Sequence, residues 1–294
     1  MNPIEIITTI EKMQARSDKL RREGKTIVFV PTMGFLHEGH LSLIRGGEKY
    51  SDDLVVSIFV NPTQFGPGED LETYPRDFER DLDLLRKEGV DAVFAPDGKE
   101  MYGEHFQTFV ELEKLPKHLC GLSRPVFFKG VATVVTKLFN IVKPHIAIFG
   151  EKDYQQLTVI RQMVRDLNLD IKVVGAPIIR EADGLAMSSR NTYLTSQQRM
   201  SAVSLNKSLK KSQELVEDGL KDAAQIIDAA SKLIRSHPGT EIDYIAICDP
   251  KTLDNMKTID RPALMALAVK VGKARLIDNM ILEPKESVSN FKKG

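Results

Sequence analysis

The sequence predicts a doubly wound α/β domain followed by a second, smaller α+β domain. Short, uncharged, β-branched runs alternate with longer helical patterns through the first two thirds of the chain. Those runs are continuously apolar, which is the mark of strands buried on both faces of a parallel sheet. After about Ile178 the texture changes to two amphipathic helices and then three strand-like runs, an α+β pattern with an antiparallel look.

Taken in order, Ile4, Ile7, Met13 and Leu20 give a loose helical spacing from the start to Arg22. Residues 26–30 (Thr-Ile-Val-Phe-Val) read as a buried strand closed by Pro31. The pattern recurs at 54–60, ending at Asn61-Pro62, at 91–95, ending at Pro96, and at 145–149, ending at Gly150. Residues 171–174 make a fifth strand. Helical stretches fill the gaps at about 39–50, 75–88, 130–142 and 154–167. Beyond them, residues 197–217 and 220–235 predict two helices separated at Gly219, and 242–247, 264–271 and 275–281 predict strands. The polar end, 287–294, is expected to fray, and no internal repeat interrupts the scheme.

Composition narrows the function classes. The 294 residues carry 41 basic and 41 acidic side chains. Zero formal net charge removes the electrostatic case for a nucleic-acid or anionic-membrane partner. The N-terminal segment is too charged for a signal-peptide core, and the apolar stretch 131–149 is broken by Lys137, Lys143 and Pro144. Cys120 and Cys248 are too few and too far apart for a disulfide framework or a clustered zinc site, and read as buried or free thiols. The expectation is a soluble cytoplasmic protein with neither membrane nor nucleic-acid partner.

In an open parallel sheet, ligands bind outside the carboxyl ends of the strands. Three strand exits carry unusual polar sequence: Pro31-Thr-Met-Gly-Phe-Leu-His37-Glu-Gly-His40, Asn61-Pro-Thr-Gln64-Phe-Gly, and Gly150-Glu-Lys152-Asp153-Tyr-Gln-Gln156. Taken alone, the His37-x-x-His40 pair has three readings: two zinc ligands, two packed histidines, or an anion site. His40 falls where a helix begins, so free amides and the helix dipole favour an anion, and an imidazole adds a donor. Neither a P-loop nor a Gly-x-Gly-x-x-Gly fingerprint occurs. Further on, Met187-Ser188-Ser189-Arg190-Asn191 places two hydroxyls beside a guanidinium at the domain junction, suited to phosphate oxygens or, more simply, to a helix cap or turn.

Together these residues resemble the nucleotidyltransferase superfamily that includes class I aminoacyl-tRNA synthetases. More narrowly, residues 31–40, Phe59-Val-Asn-Pro-x-Gln-Phe65, Tyr74-Pro-Arg76, 149–156, 183–191 and Arg275-Leu-Ile-Asp-Asn279 resemble the pantoate–β-alanine ligase family, in the family's order along nearly the whole chain. Two alternatives are a cytidylyl- or adenylyltransferase, which has no need of the paired glutamines, and a non-catalytic nucleotide- or RNA-binding relative.

The resemblance implies a Rossmann-like ATP- and pantoate-binding domain over 1–178 and a smaller C-terminal lid domain over 179–294. It implies ATP and Mg²⁺ as co-substrate and cofactor, pantoate and β-alanine as substrates, a pantoyl-adenylate intermediate, and a homodimer. It assigns His40, Lys152, Ser188, Ser189 and Arg190 to catalysis, with His37 alongside them on the triphosphate. The segment Met33-Gly34-Phe35-Leu36-His37-Glu38-Gly39-His40 would line the nucleotide site together with Gly150, Glu151, Lys152, Asp153, Ile179, Met187, Ser188, Ser189 and Arg190. Gln64 and Gln156 would bind pantoate, Asn61 the β-alanine end, Arg124 the phosphates, and Asp81 would stand near Mg²⁺. One departure is visible: Arg124-Pro-Val126-Phe127-Phe128 stands where the family usually reads Arg-Pro-Gly-His-Phe.

Overall fold

The computed structural model describes residues 4–285, so the expected fraying of 287–294 lies outside the described residues. The chain divides into two compact units, one running through Glu181 and joined by Met187–Ser189, the other formed by Ala182–Ala186 and the residues from Arg190 onward.

The first unit contains, in order, β1 (Glu5–Ile7), α1 (Ile10–Arg22), β2 (Ile27–Thr32), α2 (Glu38–Glu48), β3 (Asp53–Ile58), α3 (Phe78–Lys87), β4 (Ala92–Phe94), α4 (Gly98–Met101), α5 (Cys120–Ser123), α6 (Phe127–Val142), β5 (Ile146–Gly150), α7 (Tyr154–Asp166) and β6 (Lys172–Ala176). Its six strands form one sheet in the order β1-β4-β3-β2-β5-β6, and every pair is parallel. Side chains alternate across it. Phe29, Val55, Phe94 and Phe149 pack with Met13 of α1 and with the apolar stripes of α6 and α7. Val28, Val30, Val56 and Ile148 pack on the other face with Leu41 and Ile44 of α2 and Leu82 and Leu85 of α3. Helices therefore cover both faces, as the apolar strands required.

Winding from β2 through β3 to β4 goes one way, and β5 to β6 goes the other. The strand order reverses between β2 and β5, which pair at Val28–Ile146. A crevice at the carboxyl ends opens at such a reversal.

The second unit holds α8 (Ser196–Ala202), α9 (Ser204–Glu217), α10 (Ala223–Arg235), β7 (Thr240–Cys248), β8 (Ala263–Val271) and β9 (Ala274–Leu282). Its three strands are antiparallel in the order β7-β8-β9. Leu205, Leu209, Ile226 and Ile234 of the helices pack on Met265, Leu267 and Val269 of the central strand.

Two local expectations differ from what forms. Ile7 belongs to an edge strand, not to the first helix, because Glu5, Ile6 and Ile7 pair with Ala92, Val93 and Phe94. The helix begins at Ile10, where the Thr9 hydroxyl accepts from the Lys12 amide at 3.4 Å. The single helix expected over 197–217 is two helices, and its first part starts in a capping box between Thr195 and Gln198. Both cysteines are free and buried.

Candidate active site at the carboxyl ends of β2, β3 and β5

Strand β2 ends at Thr32, and the chain turns through Gly34 (φ +80°) and Phe35 (φ +50°) before α2 begins. Two consecutive left-handed residues are strained when the second is not glycine. Asp81 holds them. Its carboxylate, 1 % exposed, accepts from the amides of Phe35 at 2.6 Å and Leu36 at 2.7 Å. Burial raises the Asp81 pKa, and these two amides with nearby Arg80 pull against that rise. The Thr32 hydroxyl takes the Gly34 amide at 3.1 Å.

His37 is the N-cap of α2. Its Nδ1 accepts from the Gly39 amide at 3.1 Å, and Nδ1 of His40 accepts from the His37 amide at 3.3 Å. A nitrogen that accepts carries no proton, so each neutral ring bears its hydrogen on Nε2 and presents it as a donor. The rings stand 4.1 Å apart, tilted by 37°. Burial and the neighbouring Lys152 charge push His37 down to about 4, against the pull of Asp153 and Glu181. Burial, His37 and Lys152 hold His40 well below its ordinary range. Both imidazoles are thus neutral at pH 7.

Most of the backbone donors expected to be free at the start of α2 are already taken up. The amides of Gly34, Phe35, Leu36, His37, Gly39 and His40 all have acceptors in Asp81 or in the loop itself. The donors left for an anion are the two Nε2–H groups and the Glu38 amide at the first position of α2. Glu38 faces outward and joins Arg45, which also binds Glu88 at 2.8 Å in a surface network.

Two distant segments converge on this loop. Gly150, Glu151, Lys152 and Asp153 form the tight 3₁₀ turn between β5 and α7, with Lys152 Nζ 3.4 Å from Asp153. The Met187 amide donates to the Ile179 carbonyl at 3.0 Å, and a Cβ placed on Gly39 would lie 3.5 Å from the Met187 Cβ. Ser189 Oγ donates to the Phe35 carbonyl at 3.3 Å, with Ser188 beside it in the same unit. Arg190 is the first residue of the second unit's long segment.

The β3 exit builds a second polar turn. Gln64 is buried; its Oε1 accepts from Asn61 at 3.1 Å and its Nε2 lies 3.0 Å from the Met33 sulfur. Asn61 is only 1 % exposed and spends its whole carboxamide inside the protein, on Thr63, Tyr102, Gly130 and Gln64. That is a corrected expectation: it holds the turn and has no donor left for β-alanine.

Arg124 is likewise engaged elsewhere. It grips Glu69 with Nε at 2.7 Å and Nη2 at 2.5 Å, donates to the Gln64 carbonyl at 3.1 Å, and lies 3.9 Å over the Phe127 ring. Burial opposes the Glu69 charge, but the Arg124 contacts outweigh it and keep that carboxyl below its usual range. Phe127, in place of the family's histidine, supplies the face on which the guanidinium stacks. Both Asp81 oxygens serve the loop and the side chain is 1 % exposed, so this geometry explains the carboxylate without the metal expected near it. Among the described residues no three His, Cys, Asp or Glu side chains are grouped to hold a metal ion.

Sequence reasoning missed Gln155. Its carboxamide accepts from the Cys120 amide at 3.0 Å and donates to the Leu115 and His118 carbonyls at 2.9 and 2.7 Å, pinning the segment before α6. Its position four residues before Val159 and eight before Met163, both buried, was the available signal. Gln156 is half-buried and makes no side-chain hydrogen bond to another described residue. The Arg275-to-Asn279 motif is structural: it lies in β9, and Arg275 binds Asp243 of β7 at 2.7 Å.

With this geometry in hand, relatives are informative. Residues 5–281 match the family model described as pantoate-beta-alanine ligase. The chain is 63 % identical, over 96 % of its length and all of the relative's, to a pantothenate synthetase of Desulfatibacillum aliphaticivorans. Among solved structures, pantothenate synthetase from Thermus thermophilus superposes with a TM-score of 0.91 at 45 % identity, covering 96 % of this chain and 100 % of that one. A Francisella tularensis pantoate-beta-alanine ligase, solved with beta-gamma ATP and beta-alanine, gives 0.79 at 34 % identity, covering 95 % and 97 %. The chain belongs to the pantoate–β-alanine ligase family and is a ligase of pantothenate formation.

Proposed function

We propose that the protein condenses pantoate with β-alanine at the expense of ATP through a pantoyl-adenylate intermediate. The observation that carries this reading is the meeting of His37, His40 and Lys152 at the β2–β5 reversal, with Gln64 of the β3 exit set against Met33 of the same loop. The pantoate carboxylate attacks the α-phosphorus, the bond to the bridging oxygen breaks, and pyrophosphate leaves. The β-alanine amine then attacks the acyl carbon, loses a proton, and AMP departs with the former carboxylate oxygen.

The first step brings an anion against a polyanion, so the site must supply donors and positive charge where charge develops. Lys152 supplies a full charge. The neutral histidines supply two oriented Nε2–H donors on the phosphate oxygens, acting by electrostatic stabilisation rather than as an acid. Ser188 and Ser189 are assigned to phosphate oxygens, Gly150 and Asp153 to the ribose, and Met33, Ile179 and Met187 to the adenosine. Gln64 and Gln156 are assigned to pantoate. Arg190 keeps its expected phosphate role on the strength of the Met-Ser-Ser-Arg motif alone. Mg²⁺, when bound, would neutralise phosphate charge, and it would need few protein ligands to do so.

The test is product release from ATP, Mg²⁺ and pantoate, with and without β-alanine. Pyrophosphate in a single turnover without β-alanine, and AMP release only with both organic substrates, are expected. Nucleotide binding with no pantoate-dependent pyrophosphate would overturn the reading. We also propose a cytoplasmic homodimer, on the family resemblance; a concentration-independent monomer in sedimentation would refute the dimer. No helix among the described residues is long and apolar enough to cross a membrane.

A further inference from the structure

Carboxamides can face either way, and only their partners decide which end a ligand meets. At the β3 exit the decision is made by backbone groups. Oδ1 of Asn61 faces the Thr63 amide at 3.3 Å, a group that only donates. Nδ2 of Asn61 faces the Gly130 carbonyl at 3.2 Å, a group that only accepts. The sense of the Asn61 amide therefore cannot be reversed without breaking both. The hydroxyls of Thr63 and Tyr102 reinforce it, donating to the same Oδ1 at 2.9 and 2.8 Å.

The second hydrogen on Asn61 Nδ2 goes to Gln64 Oε1 at 3.1 Å. That contact turns the Gln64 carbonyl inward and its NH₂ outward. The NH₂ rests against the Met33 sulfur at 3.0 Å, a weak acceptor that an oxygen would readily displace. With Asn61 1 % and Gln64 8 % exposed, neither reorients without leaving a buried polar atom unpaired.

We infer that Asn61 is a positioning residue which fixes the sense of the Gln64 carboxamide, so that Gln64 meets the organic acid as an N–H donor and reads an acceptor oxygen on it. This rests on the assignment of Gln64 to pantoate. It makes Asn61 act through Gln64 rather than on β-alanine, and it makes this corner of the site selective for substrates that place a carboxylate or hydroxyl lone pair there.

Steady-state kinetics of three variants test it, with pantoate and ATP varied separately. Gln64→Ala is expected to raise the pantoate KM about three- to ten-fold, the worth of one hydrogen bond. Asn61→Asp, which puts an acceptor against the Gly130 carbonyl and Gln64 Oε1, is expected to raise the pantoate KM at least as much and to leave the ATP KM within two-fold. Introduced into the Gln64→Ala protein, it should add nothing to the pantoate KM. Should Asn61→Asp fold poorly, Gln64→Glu carries the test. A glutamate held by Asn61 turns an acceptor toward the substrate oxygen, so its pantoate KM should exceed that of Gln64→Ala.

A Gln64→Glu protein that binds pantoate as well as wild type would mean that the carbonyl end faces the substrate, and would overturn the relay. So would an Asn61→Asp effect that persists in the Gln64→Ala background. An unchanged pantoate KM in Gln64→Ala would remove the relay together with the assignment of Gln64. The product assay decides the reaction itself independently.

Discussion

The turns that follow β2 and β3 leave neighbouring strands of one sheet, yet they are held by opposite means. The β2 turn is pinned by a buried charge: Asp81 takes the amides of Phe35 and Leu36 and fixes a left-handed pair that the chain would otherwise avoid. The β3 turn is pinned by a neutral carboxamide, Asn61, that satisfies itself on five contacts. A charged pin is costly to bury and costly to lose. A neutral pin is cheaper to bury, and it passes its own orientation to the next side chain. The two turns accordingly present different things: charge-responsive imidazoles at one, a donor of fixed sense at the other.

The largest effects should fall on the donors gathered at the first turn, His40 of α2 and Lys152 of the adjoining β5 exit. Lys152→Ala and His40→Ala are each expected to slow adenylation by about two to three orders of magnitude, the usual consequence of removing an oxyanion-type donor. Single-turnover quenching of pantoate with ATP reads this directly. A near-normal rate in both variants would place the chemistry elsewhere on the rim.

Next comes the pin itself. Asp81→Ala leaves two buried amides without acceptors and should lower unfolding stability by about 2–5 kcal/mol, measured in urea. Asp81→Asn keeps one acceptor but sets an NH₂ against the other amide, so it recovers only part of the loss. A weakened dependence on Mg²⁺ with unchanged stability would instead restore Asp81 as a metal ligand and break the comparison.

The smallest effect is the pH response that distinguishes the turns. His37 falls from an ordinary 6.5 to about 4 on folding, so the unfolded chain binds the extra proton first. Stability contributed by the neutral ring is present above 6.5 and declines as pH falls from 6.5 toward 4, by about 1–3 kcal/mol. His37→Asn should flatten that part of the stability–pH curve, whereas Asn61→Asp should leave it in place. Equal slopes in wild type and His37→Asn would show that His37 is not buried neutral.

Much of this was legible before folding was considered. The apolar runs and their stop residues placed β2, β3, β4 and β5 to within a residue or two, because a strand buried on both faces has almost no choice of side chain. The edge strand β1 was not legible: three residues with one buried side chain do not differ from a helix start until β4 supplies the pairing. Within the site, the positions of His37, His40 and Lys152 just past buried strands were legible, but position alone does not separate a ligand-facing group from a structural one, as Asn61 just past β3 shows.

What the chain order alone determined, then, is which segments reach the rim: β2, β3 and β5 end there by topology, and their exits carry the polar motifs. Only the tertiary structure decided which member of each motif looks inward. Gln155 and Gln156 are adjacent and chemically identical, but the roughly 100° step of a helix sends one into the segment before α6 and leaves the other half-buried without a hydrogen-bond partner among the described residues. Asp81 lies 46 residues from Phe35, Arg124 lies 55 from Glu69, and Asn61 lies 69 from Gly130. A buried donor must find its acceptor wherever the fold brings one. Such partners are settled by packing across the whole unit, and no local pattern of residues records them.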